Sequence, residues 1–364
     1  QEKLKSIIRE VMDNKMVHVY LNSRAENVEG YVGNFKATLK GNGGKSCIES
    51  GAIIVATGAM EYRPSEYFYG VDSGVITQRE LEERLAKDEF SAKTVVMIQC
   101  IGSRNENNPN CSRICCTQAI KNSKKIKELS PETEVYILYK DIRTYGFLEE
   151  AYREAVSRGV ICVRYDDESR IMVTRNSGRL EVSFWEPIME TWVSTEPDIL
   201  VLSAGIVSNP DNEELAKMLK IPLTKDKFFL EAHMKLRPVD FATDGIFQCG
   251  MAHSPMLLAE SLAQASAAAS RALTILSRKT IEVEGAIATV NEDFCSGCRI
   301  CEHLCEYNAI ELREVNGKVR AHVLEALCKS CGVCGSACPT GAISMQHFTD
   351  DQIMAQVKAA ITEE

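Results

Sequence analysis

The sequence predicts an α/β protein: doubly wound sheets of the nucleotide-binding type, followed by a small α+β domain. Three observations predict it. Between residues 93 and 163, apolar runs of strand length alternate with amphipathic helical stretches, as in a parallel sheet with crossover helices. Three further apolar strands end in small residues, at Ala56-Thr57-Gly58, Ser203-Ala204-Gly205 and Cys249-Gly250-Met251. Beyond residue 294 eight cysteines fall into two runs of identical spacing.

Taken in order, residues 2–14 carry Leu4, Ile7, Ile8, Val11 and Met12 on one helical face. Val17–Tyr20 reads as a short strand. Strands around 25–32 and 34–40 lead into Gly41-Asn42-Gly43-Gly44, a tight turn. Gly51–Gly58 reads as a strand buried on both faces. The charged stretch Leu81–Phe90 marks a boundary. Lys93–Ile98, Glu134–Tyr139 and Val160–Val163 are strands, separated by helices over 113–129 and 147–158. Weaker β signals run from 170 to 193, and Asp198–Ser203 and Asp244–Cys249 are buried strands. A long helix is expected over 255–278, with Ser254 as N-cap and Pro255 at the first helical position. Residues 280–290 link to the last domain, which ends in a helix over Thr349–Thr362.

The cysteine runs are Cys295-x2-Cys298-x2-Cys301-x3-Cys305 and Cys328-x2-Cys331-x2-Cys334-x3-Cys338, an internal repeat of 33 residues. This is the two-cluster ferredoxin spacing: three thiolates bind one cubane and the fourth reaches the other. One [4Fe-4S] cluster is therefore assigned to Cys295, Cys298, Cys301 and Cys338. The second is assigned to Cys328, Cys331, Cys334 and Cys305. Gly297 and Gly332 let the backbone fold closely around sulfide. Zinc also uses Cys-x2-Cys pairs, but two x2-x2-x3 runs match zinc spacing poorly.

A dinucleotide-binding domain places Gly-x-Gly-x-x-Gly after its first strand. Here that loop reads Gln99-Cys100-Ile101-Gly102-Ser103-Arg104, with one glycine, and Asp141 is a weak candidate for the acidic residue. The loop reads as having lost NAD(P)H. It carries Cys100, Cys111, Cys115 and Cys116 instead, which suggest a third [4Fe-4S] cluster at a helix N-terminus. A redox-active dithiol or buried bystander cysteines are the alternatives. Cys47 and Cys162 are expected in the core, as is Cys249.

The three small-residue loops suggest FAD contacts at Thr57, Gly58, Gly205, Gly250, Met251, Ala252, His253 and Ser254. Met251 stands where an aspartate is usual. The glycine fingerprint for FAD would precede residue 1, so a separate chain or a lost segment has to supply it. The organisation read is 1–90 with 195–280 as a partial FAD-binding-type domain, 91–194 as a nucleotide-binding-like domain and 285–364 as a two-cluster ferredoxin domain.

Composition narrows the function. Of 364 residues, 45% are hydrophobic and 26% charged, room for two or three domains. A net charge of −9 argues against nucleic acid. No apolar run approaches the ~18 residues of a membrane span, and no signal-like segment opens the chain. Fifteen cysteines with cluster spacing imply a reducing cytoplasm. The start at Gln1 points to a trimmed or partial chain.

At this point the chain resembles the A subunit of heterodisulfide reductase, the flavin-containing iron–sulfur component found in methanogens. The resemblance rests on Val32–Phe35, Gly51–Ala59, Gln99–Arg104, Cys111-Ser112-Arg113-Ile114-Cys115-Cys116, Gly250–Pro255, Gln264–Ala269 and the two cysteine runs. It implies a thioredoxin-reductase-like flavin domain with a cluster at the vicinal cysteines. It implies an FAD that bifurcates electron pairs, and a Lys121 near the flavin that stabilises its reduced form. It implies a complex with disulfide-reductase subunits, a hydrogenase or formate dehydrogenase module, and ferredoxin, in which a partner cleaves the heterodisulfide. Two other readings stay open: the small subunit of an NAD(P)H-dependent oxidoreductase, and a flavin-free ferredoxin-like wire.

Overall fold

The computed structural model describes residues 2–176, 178–280 and 285–362, so Gln1, Ser177, 281–284 and 363–364 of the ranges above lie outside it. The first apolar periodicity forms helix α1 (Glu2–Asp13), whose apolar face is exposed along its length. Val17–Tyr20 is not a strand, because none of the described residues pairs with it. A meander follows: β1 (Ser23–Glu29), β2 (Phe35–Gly41) and β3 (Gly44–Ser50). Asn42 and Gly43 close its second hairpin, with Gly44 at φ +104 where only glycine is relaxed. Cys47 lies exposed on β3, not in the core. The run from Gly51 yields only β4 (Ile53–Val55) and then β5 (Ala59–Glu61).

The nucleotide-like region opens with β6 (Val75–Thr77) and α2 (Gln78–Ala86). Thr77 caps α2: its hydroxyl accepts from Glu80 N, and Glu80 accepts from Thr77 N at 2.7 Å. The alternation continues through β7 (Thr94–Ile101), α3 (Cys115–Leu129), β8 (Glu134–Tyr139), α4 (Leu148–Ser157) and β9 (Val160–Arg164). An antiparallel meander, β10 (Ile171–Asn176), β11 (Arg179–Glu186) and β12 (Thr191–Thr195), precedes β13 (Ile199–Ala204). The sheet order is β6-β13-β7-β8-β9, with every pair parallel. Leu81, Ile120 and Ile126 from the helices pack on Met97 and Ile137 of one face. Val182 and Phe184 of the meander pack on Val96, Ile98 and Leu200 of the other. A parallel sheet covered on both faces explains why its strands read as unbroken apolar runs. Since β6 and β13 join it, the sheet draws on residues 75–204 and reaches beyond the boundaries read at 91 and 194.

From there β14 (Ile206–Ser208) pairs with β5, and α5 (Asn212–Leu219) leads towards β15 (Ile246–Gln248). β15 pairs in parallel with β4, and α6 (Leu258–Leu276) packs Ala268 and Ala272 beneath it. In this two-stranded sheet Ile54 is exposed, which corrects the expectation of a strand buried on both faces. Ser254 and Pro255 do not start α6. The Glu260 carboxylate accepts from Leu257 N at 2.8 Å, and this cap sets the first turn three residues later.

The C-terminal region contains β16 (Ala288–Val290), α7 (Ile300–Leu304), β17 (Ile310–Val315), β18 (Lys318–Val323), α8 (Val333–Ser336), β19 (Ile343–Met345) and α9 (Asp350–Thr362). β16 pairs with β19 and β17 with β18, both antiparallel. Its core is small: Ala288, Cys301, Ile310, Ala321, Val323 and Ile343, with most of the repeat cysteines packed around them. Among the described residues, no helix is long and apolar enough to cross a membrane.

Candidate functional site

The repeat cysteines meet across the two runs. Cys295, Cys298 and Cys301 line one small cavity together with Cys338 from the second run. Cys334 has Cys328, Cys305 and Cys331 as its electrostatic neighbours. Backbone N–H groups reach the sulfurs of both runs. Ala309 N donates to Cys305 Sγ at 3.2 Å and Ala342 N to Cys338 Sγ at 3.3 Å. Ala321 N donates to Cys295 Sγ at 3.4 Å and Ala288 N to Cys328 Sγ at 3.5 Å. Each run also alternates left-handed residues, Gly297 and Arg299 in the first, Ser330 and Gly332 in the second. Such alternation turns successive N–H groups inward, a backbone nest suited to an anion. A Cβ at Gly297 would stand 2.5 Å from Val319 O, so that position requires glycine. Among the described residues, no three His, Cys, Asp or Glu side chains converge as a mononuclear ion requires. Ligands of a cubane sit on different irons and stand further apart.

The second cysteine group lies at the C-terminal end of β7. Cys100, Cys115 and Cys116 are buried and Cys111 is half-buried. All four are electrostatic neighbours. Cys100, Gly102 and Arg104 alternate in the left-handed region, the same local device as in the repeat. Cys115 and Cys116 open α3, where the helix dipole favours negative charge. In the metal-free thiols, the Cys115 contact holds Cys116 down to about 7 against its burial, helped by Arg143 and Arg104. That contact and burial raise Cys115 well above its ordinary value. Burial, with the Cys116 charge, pushes Cys100 up to about 11. Arg104 lies beside Cys100, and its buried Nη1 makes no hydrogen bond among the described residues. A buried guanidinium nitrogen without a partner among the described residues, against four sheltered thiols, fits an anionic thiolate-ligated cluster. A thiol–disulfide exchange site needs an accessible thiolate, which the burial of Cys115 and Cys116 at 2% and 4% exposure withholds.

Beside this loop is a cavity of about 1090 Å3. Its walls are Cys111–Arg113, β14, the turn 224–228 and His253-Ser254-Pro255. Of the flavin candidates, His253 and Ser254 face it. His253 is fixed by its neighbours. Gly250 N donates to Gln264 Oε1 at 3.0 Å, so the Gln264 amide nitrogen donates to His253 Nδ1 at 2.9 Å. Nε2 then carries the proton and donates to Glu231 at 2.9 Å. Gly250 and Met251 form the turn before them. Thr57 and Gly58 follow β4, with Thr57 Oγ1 donating to Asn212 at 3.2 Å and open space above Gly58. Two candidates lie away from this cavity. Ala252 is fully buried in the core. Gly205 is packed against the cysteine loop, where a Cβ would stand 3.0 Å from Ser112 Oγ. Lys121 lies on the outer face of α3, donating to Glu82 at 2.6 Å, and does not line this cavity. The sequence reading missed Tyr62, whose ring packs so tightly on Gly102 that a Cβ there would meet it at 2.2 Å.

Residues 294–342 match the family of 4Fe-4S dicluster domains. The A subunit of the H2:CoB–CoM heterodisulfide,ferredoxin reductase of Methanothermobacter thermautotrophicus is 39% identical over 336 residues, 87% of this chain and 50% of that protein. The iron–sulfur A subunit of the CoB–CoM heterodisulfide reductase of Methanocaldococcus jannaschii is 38% identical over 340 residues, covering 86% and 50%. The chain thus spans about half the length of the curated relatives it matches. Among solved structures, the Escherichia coli flavoprotein disulfide reductase RclA aligns at TM-score 0.49 and 10% identity over 79% of this chain and 57% of that one. Lactococcus lactis thioredoxin reductase aligns at 0.45 and 14%, over 70% and 74%. Over the half of their length that it spans, the chain is homologous to the A subunits of heterodisulfide reductases.

Proposed function

We propose that this chain relays electrons in a heterodisulfide-reductase-type oxidoreductase complex, through three [4Fe-4S] clusters and a flavin. The observation that supports the reading is one cavity lined both by Cys111–Arg113 of the cysteine loop and by His253-Ser254-Pro255. Cys295, Cys298, Cys301 and Cys338 hold one cluster, Cys328, Cys331, Cys334 and Cys305 the second, and Cys100, Cys111, Cys115 and Cys116 the third. When bound, such clusters pass single electrons and a flavin exchanges single electrons for pairs. Arg104, Arg143 and Lys140 balance the third cluster's negative charge. Thr57, Gly58, Gly250, Met251, His253 and Ser254 would hold the FAD. The glycine fingerprint for FAD comes from a further segment or a separate chain. In the cytoplasm the partners are disulfide-reductase subunits, ferredoxin and a hydrogenase or formate dehydrogenase module. The relatives' names, which join heterodisulfide to ferredoxin, support division of each electron pair between the two.

The small subunit of an NAD(P)H-dependent oxidoreductase is the weaker reading, because the Tyr62 ring covers the backbone at Gly102 that a pyrophosphate has to approach. The test is iron and flavin per chain in the anaerobically purified native complex. Roughly twelve irons and one FAD are expected, and Cys115→Ser should remove roughly four irons while leaving the other clusters. Roughly eight irons with no flavin, or unchanged iron in the variant, would overturn the reading.

A further inference from the structure

The cysteine loop is joined to the opposite wall of the cavity by three near-consecutive residues. Asn110 Nδ2 donates to Asp226 in the turn 224–228. Ser112 Oγ, buried, accepts from Ile206 N at 2.8 Å, at the start of β14. Arg113, held at φ +62 between two of the loop's thiols, reaches furthest. Its Nη2 donates to Glu260 Oε1 at 2.6 Å and to Tyr145 Oη at 2.8 Å, and its Nη1 donates to Pro255 O at 3.4 Å. Glu260 meanwhile caps α6 through Leu257 N. One guanidinium therefore ties Cys111 and the vicinal pair to the N-terminus of α6 and to the loop carrying His253 and Ser254.

We infer that Arg113 is a positioning residue: its clamp on Glu260 and Pro255 fixes the separation between the third cluster site and the flavin site. The inference rests on the reading above for the occupants of the two sites, but the clamp itself belongs to this chain alone. Arg113 and Glu260 are each more than a third exposed, so their pair adds little to stability. Its effect is geometric, and displacements of the order of an ångström at a reacting pair have large effects on rate.

The experiment compares Arg113→Ala, Arg113→Glu and Arg113→Lys, each in the full native complex. Hydrogen exchange at the amide of Leu257 should rise about tenfold in Arg113→Ala and Arg113→Glu, with β7 and β8 unchanged. Single-turnover electron transfer between the third cluster and the flavin should slow about tenfold. Iron and flavin content should not change, and Arg113→Lys, which keeps a donor for Glu260, should fall between the wild type and Arg113→Ala in both exchange and rate. Unchanged exchange at Leu257 would overturn the clamp. So would loss of roughly four irons in Arg113→Ala, which would make Arg113 part of cluster assembly. A wild-type complex holding only about eight irons would overturn the cluster reading instead, and hydrogen exchange would still decide whether the clamp exists.

Discussion

The molecule builds two kinds of tetracysteine site, one in the repeat of 295–338 and one on the loop of 100–116. Both carry left-handed residues in alternation along their cysteine-bearing loops. They differ in what holds them. The loop stands on the C-terminal end of β7, in a sheet with an apolar core on each face, and cations surround its thiols. The repeat has a core of six small or branched side chains, and most of its cysteines are packed into that core. Where a scaffold pre-exists, the protein shapes the site. Where it does not, the site shapes the protein.

The largest consequence follows from that contrast. Stripping iron with a chelator under reductant should unfold residues 285–348, because ligand binding there supplies folding free energy. The sheet of residues 75–204 should stay folded. Peptide-resolved hydrogen exchange would show near-complete loss of protection in β16–β19 and little change in β7, β8 and β13. Retained protection in β17 and β18 would break the comparison, showing that the small core suffices alone.

A middle-sized effect sharpens it. Arg104 is part-buried beside Cys100 and donates to Asp141 at 2.7 Å. Arg104→Gln removes a cation that favours the more negative, reduced form of a cluster there. The potential of that cluster should fall on the order of 50 mV, and those of the two repeat clusters should hold. Redox titration followed by electron paramagnetic resonance separates the three. A shift in a repeat cluster would show that the two regions are coupled.

How much of this the sequence discloses follows the same division. The repeat is written in local spacing, so its ligand sets can be read without coordinates. The central sheet is legible because its strands are apolar throughout and its helices periodic. What fails is whatever depends on distant partners. Ser254-Pro255 has the chemistry of a helix start, but Glu260, itself bonded to Arg113, caps Leu257 instead. Val17–Tyr20 has strand composition and no strand beside it. Cys47 has core chemistry, yet sits on the open face of a hairpin. The stacking of Tyr62 on Gly102 joins residues 40 apart in sequence, and no local signal announces it.

The smallest effect concerns a single side chain on the helix that the third site shares. α3 carries Cys115 and Cys116 at its start and Lys121 further along its outer face. The family resemblance puts Lys121 beside the flavin, whereas the fold pairs it with Glu82, each about half exposed. Glu82 lies below its ordinary carboxylate range: burial raises it, but hydrogen bonds from Lys121 and Gln118 outweigh that. An exposed pair of this kind contributes ~0–1 kcal/mol. Lys121→Ala should therefore lower Tm by no more than about 2 °C. It should leave flavin content and the potentials of flavin and third cluster unchanged. A flavin potential lowered by tens of millivolts would mean that Lys121 leaves Glu82 and reaches the cofactor in the complete complex. The face of α3 would then belong to the flavin site along with its N-terminus, and the loop of 100–116 would be shaped by its cofactors as much as the repeat is.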